Sequence, residues 1–252
     1  MQSMTCTVFS AMQQGPRAAQ EDCIINGRGL FQEKQLKDCA EFVTDRLLLA
    51  VCDGMGGHEH GEEASRFVCH ELNNRVADAG DGPAHLSGIL RDIQASACRH
   101  LHQNCGTTIA GLAAEDGRVF IFNAGDSRVY KVSKEGMHHL THDHSLVQEL
   151  VENSFLSKEA ADSHPLKNLV EFGIGPVFEA AWGQHDIHMV SEDLLAGAIY
   201  LLCTDGLTGA MNDHEIHECL MPSPIEKGSA LAGAAAKKNQ TDNTSFIIVR
   251  IN

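Results

Sequence analysis

The sequence predicts an α+β fold in which antiparallel sheets are covered by helices. Three observations lead there. Short apolar runs end in Asp-Gly or Gly-Asp turns, two longer stretches carry helical spacing, and a block of turn-separated strands follows the helical pair. No repeat, low-complexity tract or linker divides the 252 residues, which points to one domain over residues 1–252.

Residues 47–52 form a short apolar run that enters a turn at Asp53-Gly54, as a buried strand would. From 61 to 79, Phe67, Val68, Leu72 and Val76 recur at helical spacing, with Glu62 and Glu63 favouring the first turn. A second helix spans 86–101, with Leu86, Ile89, Leu90, Ile93, Ala97 and Leu101 on one face. Strands at 107–114, 118–123 and 128–132 are separated by Glu115-Asp116-Gly117 and Gly125-Asp126-Ser127, the pattern of an antiparallel meander. Helical spacing returns at 146–156 and over 158–162, while 163–193 reads as a surface excursion. A strand at 199–203 ends at Asp205-Gly206, helices follow at 213–220 and 227–238, and 245–251 is a closing strand.

Bulk properties narrow the function. An apolar fraction of 43% supports a real core, and a net charge of −15 argues against a nucleic-acid partner, whose phosphates attract Lys and Arg. Nine cysteines with no C-x-x-C pair, several inside apolar runs, read as reduced thiols of a cytoplasmic protein. The N-terminus lacks a signal-peptide pattern, and no stretch approaches the ~18 apolar residues of a membrane span.

Five acidic clusters stand out: Gln20-Glu21-Asp22, Asp53-Gly54-Met55-Gly56-Gly57-His58, Gly125-Asp126-Ser127-Arg128, Asp205-Gly206 and Asp242-Asn243. An isolated Asp-Gly is usually just a turn. Three glycines and an acid after a buried strand are more specific. Asp carboxylates, a backbone carbonyl and waters suit Mg²⁺ or Mn²⁺, which prefer oxygen ligands. Gly54 lets the backbone turn and offer its carbonyl. Two ions bridging one water would lower its pKa toward neutrality, and Arg17 would clamp phosphoryl oxygens bidentately. The clusters therefore point to a metal-dependent phosphoester hydrolase.

In order along the chain, Arg17-x-x-Gln20-Glu21-Asp22, Val51-Cys52-Asp53-Gly54-Met55-Gly56-Gly57-His58, Gly106-Thr107-Thr108, Gly125-Asp126-Ser127-Arg128-Val129-Tyr130, His142-Asp143-His144-Ser145, Leu201-Leu202-Cys203-Thr204-Asp205-Gly206-Leu207 and Asp242-Asn243-x-Ser245 resemble the motifs of the metal-dependent Ser/Thr protein phosphatases, the PPM or PP2C-like family, in compact bacterial form. The resemblance implies a β-sandwich flanked by helix pairs, with a binuclear Mn²⁺ or Mg²⁺ centre and a third, weaker metal site. By it, Asp53 bridges both metals and the Gly54 carbonyl binds one. Asp205 and Asp242 hold the other, Glu21 and Asp22 act directly or through water, and Asp126 with Asp205 supports the third. Arg17 matches the phosphate-binding arginine, so Arg17, Asp53 and Asp205 are the candidate catalytic residues.

The implied reaction is hydrolysis of phosphoserine and phosphothreonine by a metal-bridging hydroxide, without a phospho-enzyme. Implied partners are phosphoproteins made by a Ser/Thr kinase, or the kinase itself, with no nucleic acid or membrane and the protein monomeric. Residues from about 145 to 193 match a mobile flap beside the site. The rival reading is a catalytically idle module of the same fold, against which the intact Asp53, Asp205 and Asp242 argue.

Three departures matter. Gln20 replaces the usual Asn. Met55 stands where eukaryotic members have a proton-donating His, leaving the proton to a metal-bound water or to a residue such as His58. Residues 33–44 are longer and more polar than expected and read as an extended hairpin or loop. Elsewhere, His138-His139-x-x-His142-x-His144 lacks the supporting pairs of a zinc site, and Cys203 follows Leu201-Leu202 as packing, not as a nucleophile. His58-Glu59-His60 reads either as an outer ring around the metals or as a solvated loop.

Overall fold

A computed structural model describes residues 3–56, 60–77, 83–157, 160–161, 164–238 and 241–252. It contains thirteen strands, β1(Met4–Gln13), β2(Asp22–Asn26), β3(Leu30–Phe31), β4(Gln35–Thr44), β5(Arg46–Gly56), β6(Cys105–Thr107), β7(Ile109–Glu115), β8(Arg118–Ala124), β9(Arg128–Val132), β10(Met137–His139), β11(His188–Asp193), β12(Ile199–Cys203) and β13(Thr244–Ile251). The helices are α1(Gly61–Ala77), α2(Pro83–His100), α3(Leu146–Glu152), the single turn α4(Asp205–Thr208), α5(Asp213–Leu220) and α6(Pro224–Lys237), with a 3-10 helix at Pro176–Gly183.

Two antiparallel sheets face one another. The first runs β10-β9-β12-β13-β1-β4, and the second β11-β8-β7-β5-β2-β3 with β6 attached to β5. Inward-facing Val8, Met12, Leu49, Val51, Leu112, Ile121, Leu202 and Val249 fill the space between them. Outward-facing Cys52, Ile109 and Phe122 of the second sheet bury the apolar stripe of α1 and α2, including Leu72, Leu90 and Ile93. Phe9, Leu201, Phe246 and Ile248 of the first sheet pack on α5 and α6. The α-β-β-α sandwich expected from the resemblance is therefore present, and alternate residues of each central strand serve two cores.

The elements follow local rules. The N-cap Asn212 accepts from the Glu215 N–H, and the Glu215 side chain returns to the Asn212 N–H, closing a capping box at α5. Pro224 stands in the first turn of α6, where its missing N–H costs nothing.

The sequence reading needs correction at three places. Residues 33–44 are neither loop nor free hairpin: Gln35–Thr44 is a ten-residue strand paired along its whole length with β1. The stretch 163–193 is no surface excursion throughout, because Phe172, Ile174 and Phe178 are buried and His188–Asp193 is hydrogen-bonded to β8 as the edge of the second sheet. The helix expected at 146–156 ends at Glu152, where Asn153 caps it. Most of the short helix expected at 158–162 lies outside the described residues.

Helix α6 lies on β1 through a glycine. A Cβ at Gly228 would stand 2.3 Å from the ring of buried Phe9, whereas one at Gly233, in the same helix, would meet nothing within 4 Å. Alanine is worth roughly 0.5–1 kcal/mol over glycine in a helix, but overpacking a core costs about 1–3 kcal/mol. Gly228→Ala is expected to lower stability in urea unfolding and Gly233→Ala to raise it. Equal effects at both positions would show that α6 is not seated on Phe9.

Candidate active site

The acidic clusters meet where the two sheets come together at one end. In the second sheet, antiparallel register places Asp22 of β2 directly opposite Asp53 of β5. In the first, β12 lies between β9 and β13. Asp205 immediately follows β12, Asp242 precedes β13, and Asp126 sits in the β8–β9 turn, so these three leave neighbouring strand ends. Strand order thus joins residues that are far apart in the chain.

Glycine makes the approach close enough. A Cβ on Gly54 would fall 2.1 Å from the Gly61 carbonyl oxygen and 2.6 Å from that of Glu21. On Gly206 it would fall 1.8 Å from the carbonyl oxygen of Asn243. Neither glycine is needed for a left-handed turn. Each clears room for the backbone that carries the next carboxylate.

Neutral side chains then fix the geometry. Thr204 Oγ1 donates to Asp22 Oδ2 at 3.0 Å, tying the first sheet to the second, and itself accepts from the Ser245 N–H at 3.1 Å. Asn243 accepts from the Glu21 N–H at 2.7 Å and donates to the Gln14 and Ala19 carbonyls, so the loop bearing Arg17 and Glu21 hangs on one amide. Thr107 Oγ1 donates to the Asp53 carbonyl at 2.8 Å, and the Asp53 N–H donates to Thr108 Oγ1 at 3.1 Å. Gln20 is buried, accepts from the Asp22 N–H and donates to the Glu33 carbonyl.

The electrostatics are those of crowded anions. Burial, with the fields of Asp205 and Asp242, pushes the Asp22 carboxyl up to about 8. Burial and the neighbouring carboxylates hold Asp53 and Asp126 well above the usual range, and burial also raises Asp205. Arg17 answers part of the charge: its Nη2 donates to Asp242 Oδ2 at 2.5 Å and its Nε to the Thr241 carbonyl at 3.1 Å. Burial opposes the charged guanidinium, but Asp242, Glu21 and Asp53 outweigh it.

No three of the described His, Cys, Asp or Glu side chains are already closed into a metal cage. Hard cations nevertheless fit the donor set. Asp22 Oδ1 and Asp205 Oδ1 are buried oxygens without a hydrogen-bond partner, and every nearby charged donor is a carboxylate, the ligand that Mg²⁺ and Mn²⁺ prefer. The structure brings together Glu21, Asp22, Asp53, Asp126, Asp205, Asp242 and Arg17, with Gly54 adjoining. His58 and Glu59 lie outside the described residues, while His60 stacks on His102 and pairs with Glu63 at 3.2 Å.

A cavity of about 880 Å³ opens from Asp126, Asp205 and Asp242. One wall comes from Ser145, Val147, Gln148, Lys167 and Asn168, the other from residues 208–214. Sequence reasoning gave no role to Arg128, which helps shape it. Arg128 grips Asp143 through Nε and Nη2, at 2.9 and 2.6 Å to Oδ2, and donates from Nη1 to the Tyr130 hydroxyl, which donates to Asp213 at 3.0 Å. One buried network thereby anchors both walls. His139 and His144, members of the apparent zinc motif, serve packing: His139 stacks on Tyr130 and hydrogen-bonds Thr141, and His144 bonds the Gly125 backbone. Cys203 is buried, its thiol pushed up by desolvation, as packing requires.

Comparison with known proteins agrees with this geometry. The family described as Protein phosphatase 2C matches residues 36–223. The Streptococcus pneumoniae protein phosphatase PhpP is 31% identical over 218 residues, 82% of this chain and 87% of PhpP. The Mycobacterium tuberculosis serine/threonine protein phosphatase PstP is 30% identical over 214 residues, 81% of this chain; the match spans only 40% of PstP. A crystal structure of the M. tuberculosis PstP superposes with a TM-score of 0.82 at 26% identity, covering 99% of this chain and 100% of that one. The PstP catalytic domain, in complex with two manganese ions, gives 0.77 at 24%, covering 98% and 99%. The chain belongs to the protein phosphatase 2C family.

Proposed function

We propose that this chain is a Mn²⁺- or Mg²⁺-dependent phosphatase that hydrolyses phosphoserine and phosphothreonine on proteins phosphorylated by a Ser/Thr kinase. The observation that carries the reading is the pair of partnerless buried oxygens, Asp22 Oδ1 and Asp205 Oδ1, among converging carboxylates at the end of an open cavity. Metal ions bound there supply an activated water and neutralise phosphoryl charge. Asp53, Asp205 and Asp242 are the proposed principal ligands, with the Gly54 carbonyl, Glu21 and Asp22 completing the pair of sites and Asp126 with Asp205 offering a third. Arg17 exchanges Asp242 for the phosphoryl oxygens, holding phosphorus in line for attack. Thr204, Asn243 and Gln20 keep the acids and the arginine-bearing loop in position without touching the reacting atoms.

The cavity wall at 145–168 is the proposed flap, and it limits which residues beside the phosphate fit. Within the 145–193 span first marked out, Phe172, Ile174 and Phe178 are buried and His188–Asp193 pairs with β8, which favours the earlier part of the span for that role. Met55, half-buried beside the site, has no proton to give, so the leaving alkoxide would take its proton from a water held by the bound cations or from another residue such as His58.

Hydrolysis of p-nitrophenyl phosphate is expected only with Mn²⁺ or Mg²⁺ present. Asp205→Asn should reduce kcat/KM more than about 100-fold, beyond the 10–100-fold typical of partners that only orient a metal ligand. Retained activity in that variant would remove Asp205 from the site. Arg17→Ala should raise KM for a phosphopeptide about 10-fold or more, the worth of a charge-assisted hydrogen bond; an unchanged KM would end the clamp role.

The cation-free protein should also carry a pH signature. The folded-state pKa of Asp22 is raised from 3.8 to about 8. The stability contributed by its retained proton is therefore complete below about 4 and lost as pH rises through about 8. With chelator present, melting temperature should fall across this window, and Asp22→Asn should flatten the fall. Added Mn²⁺ should raise the melting temperature more at pH 8 than at pH 6, because at pH 6 protons compete for the same oxygens. Equal shifts at the two pH values, or none, would count against a shared carboxylate site.

A further inference from the structure

Among the described residues the first sheet ends at β4, with no strand beyond it in the sheet order. Proteins blunt such an edge with a short strand, a bulge, a proline or charged residues. β4 uses charge alone, with Lys37 and Glu41 on its outer face and Asp38, paired with Arg28, on its inner one; it is ten residues long, keeps unbroken register with β1 from Met4↔Thr44 to Gln13↔Gln35, and contains no proline. Its outward residues alternate strictly, with Gln35, Lys37, Cys39, Glu41 and Val43 exposed, Val43 at 68%.

We propose that a second copy of this chain adds to this edge, antiparallel, about a two-fold axis through Cys39. An axis normal to the sheet keeps the outer faces together, so positions equidistant from Cys39 stand opposite one another. Lys37 then faces the second copy's Glu41, and Glu41 its Lys37. Cys39 faces Cys39. On the inner face, half-buried Leu36 meets Phe42 in both directions, and both residues already pack against the inter-sheet core. Moving the axis to any other residue of the strand separates the Lys37–Glu41 pairs. This self-complementarity of charge and apolar surface selects a second copy as the occupant.

The arrangement has room. Helix α6 covers the outer face over β1, where Gly228 meets Phe9. The two β1 strands would be three strand spacings apart, about 14 Å, while a helix with its side chains is about 10–12 Å across. The joined edges bury little area, so association is weak and concentration-dependent. The monomer expected from sequence is the dilute state of the same equilibrium.

Sedimentation velocity of the full chain from about 1 µM to about 500 µM tests this across the weak range. A dimer growing with concentration is expected. Lys37→Glu or Glu41→Lys alone should weaken it about tenfold or more, because each change acts at two symmetric pairs and sets like charges face to face. The double variant should restore it, which also excludes misfolding as the cause. In a Cys98→Ser/Cys219→Ser background, Cys39 is the one thiol that is not buried. Diamide takes two hydrogen atoms from two thiols as their S–S bond forms, and it should trap a dimer that Cys39→Ser abolishes. A monomer at every concentration, a dimer indifferent to both single reversals, or no trapping through Cys39 would each overturn the proposal and leave Lys37 and Glu41 as charges that keep the edge apart. Neither measurement uses phosphatase activity, so failure here is distinct from failure of the catalytic reading.

Discussion

The constraint on which this structure turns is the mutual repulsion of carboxylates that strand register forces together. Asp22 and Asp53 face each other across β2 and β5, and Asp205, Asp126 and Asp242 arrive from the strand ends of the other sheet. A slip of one residue in β2 or β5 would turn its acid, and every core residue with it, to the opposite face. The sandwich therefore cannot relieve the crowding by sliding a strand. Protons, the Arg17 guanidinium and hard cations are the three ways to offset the charge. Only cations bring enough positive charge to leave all the carboxylates ionised, which is the state phosphoryl chemistry needs.

The supporting residues are explained by the same constraint. Acids that repel one another must be held by groups that carry no charge of their own. Thr204, Asn243, Thr107, Thr108 and Gln20 do this with two or three hydrogen bonds each, mostly to backbone. Gly54 and Gly206 remove the atoms that would hold the segments apart. The Asp-Gly pairs thus record a close approach of backbones more than a turn type. That is why their glycines matter although neither adopts a left-handed conformation.

What could be read from the sequence was what local pattern determines. α1 and α2 follow from apolar spacing, the β7–β9 meander from its glycine turns, and the acids from their place at the ends of apolar runs. β1 was missed because most of both its faces are buried, so it shows neither alternation nor helical period. β4 reads in sequence as an extended hairpin or loop because Asp38 interrupts its apolar face. Asp38 is accommodated by Arg28, at 3.2 Å, and by Asn26, partners that pattern alone does not reveal. β11 has its partner, β8, about 70 residues upstream. The roles of Thr204 and Asn243 were invisible for the same reason, since their partners lie about 180 to 220 positions away. Convergence was inferred from motif order before it could be seen as strand order.

A site built this way divides its labour between parts of unequal rigidity. The acids stand on strands or directly at their ends, and the strands' side chains pack into two cores, where small displacements meet close-packed neighbours. The wall at 145–168 is tied differently: an N-cap from Ser145, an isolated bridge from Ser145 to Val170 and a hydrogen bond from the Leu146 N–H to the Leu169 carbonyl close its two ends together. Its outer residues Phe155 and Leu166 remain exposed. Few buried contacts hold such a segment, so it opens at lower free energy than the strands beneath it. The Arg128–Asp143 pair, immediately before His144 and Ser145 in the chain, ties the start of the wall to the first sheet. On the proposed function, chemistry would be confined to the sandwich and selection of the substrate to the wall, so that sequence change in the wall would alter the second while leaving the first intact.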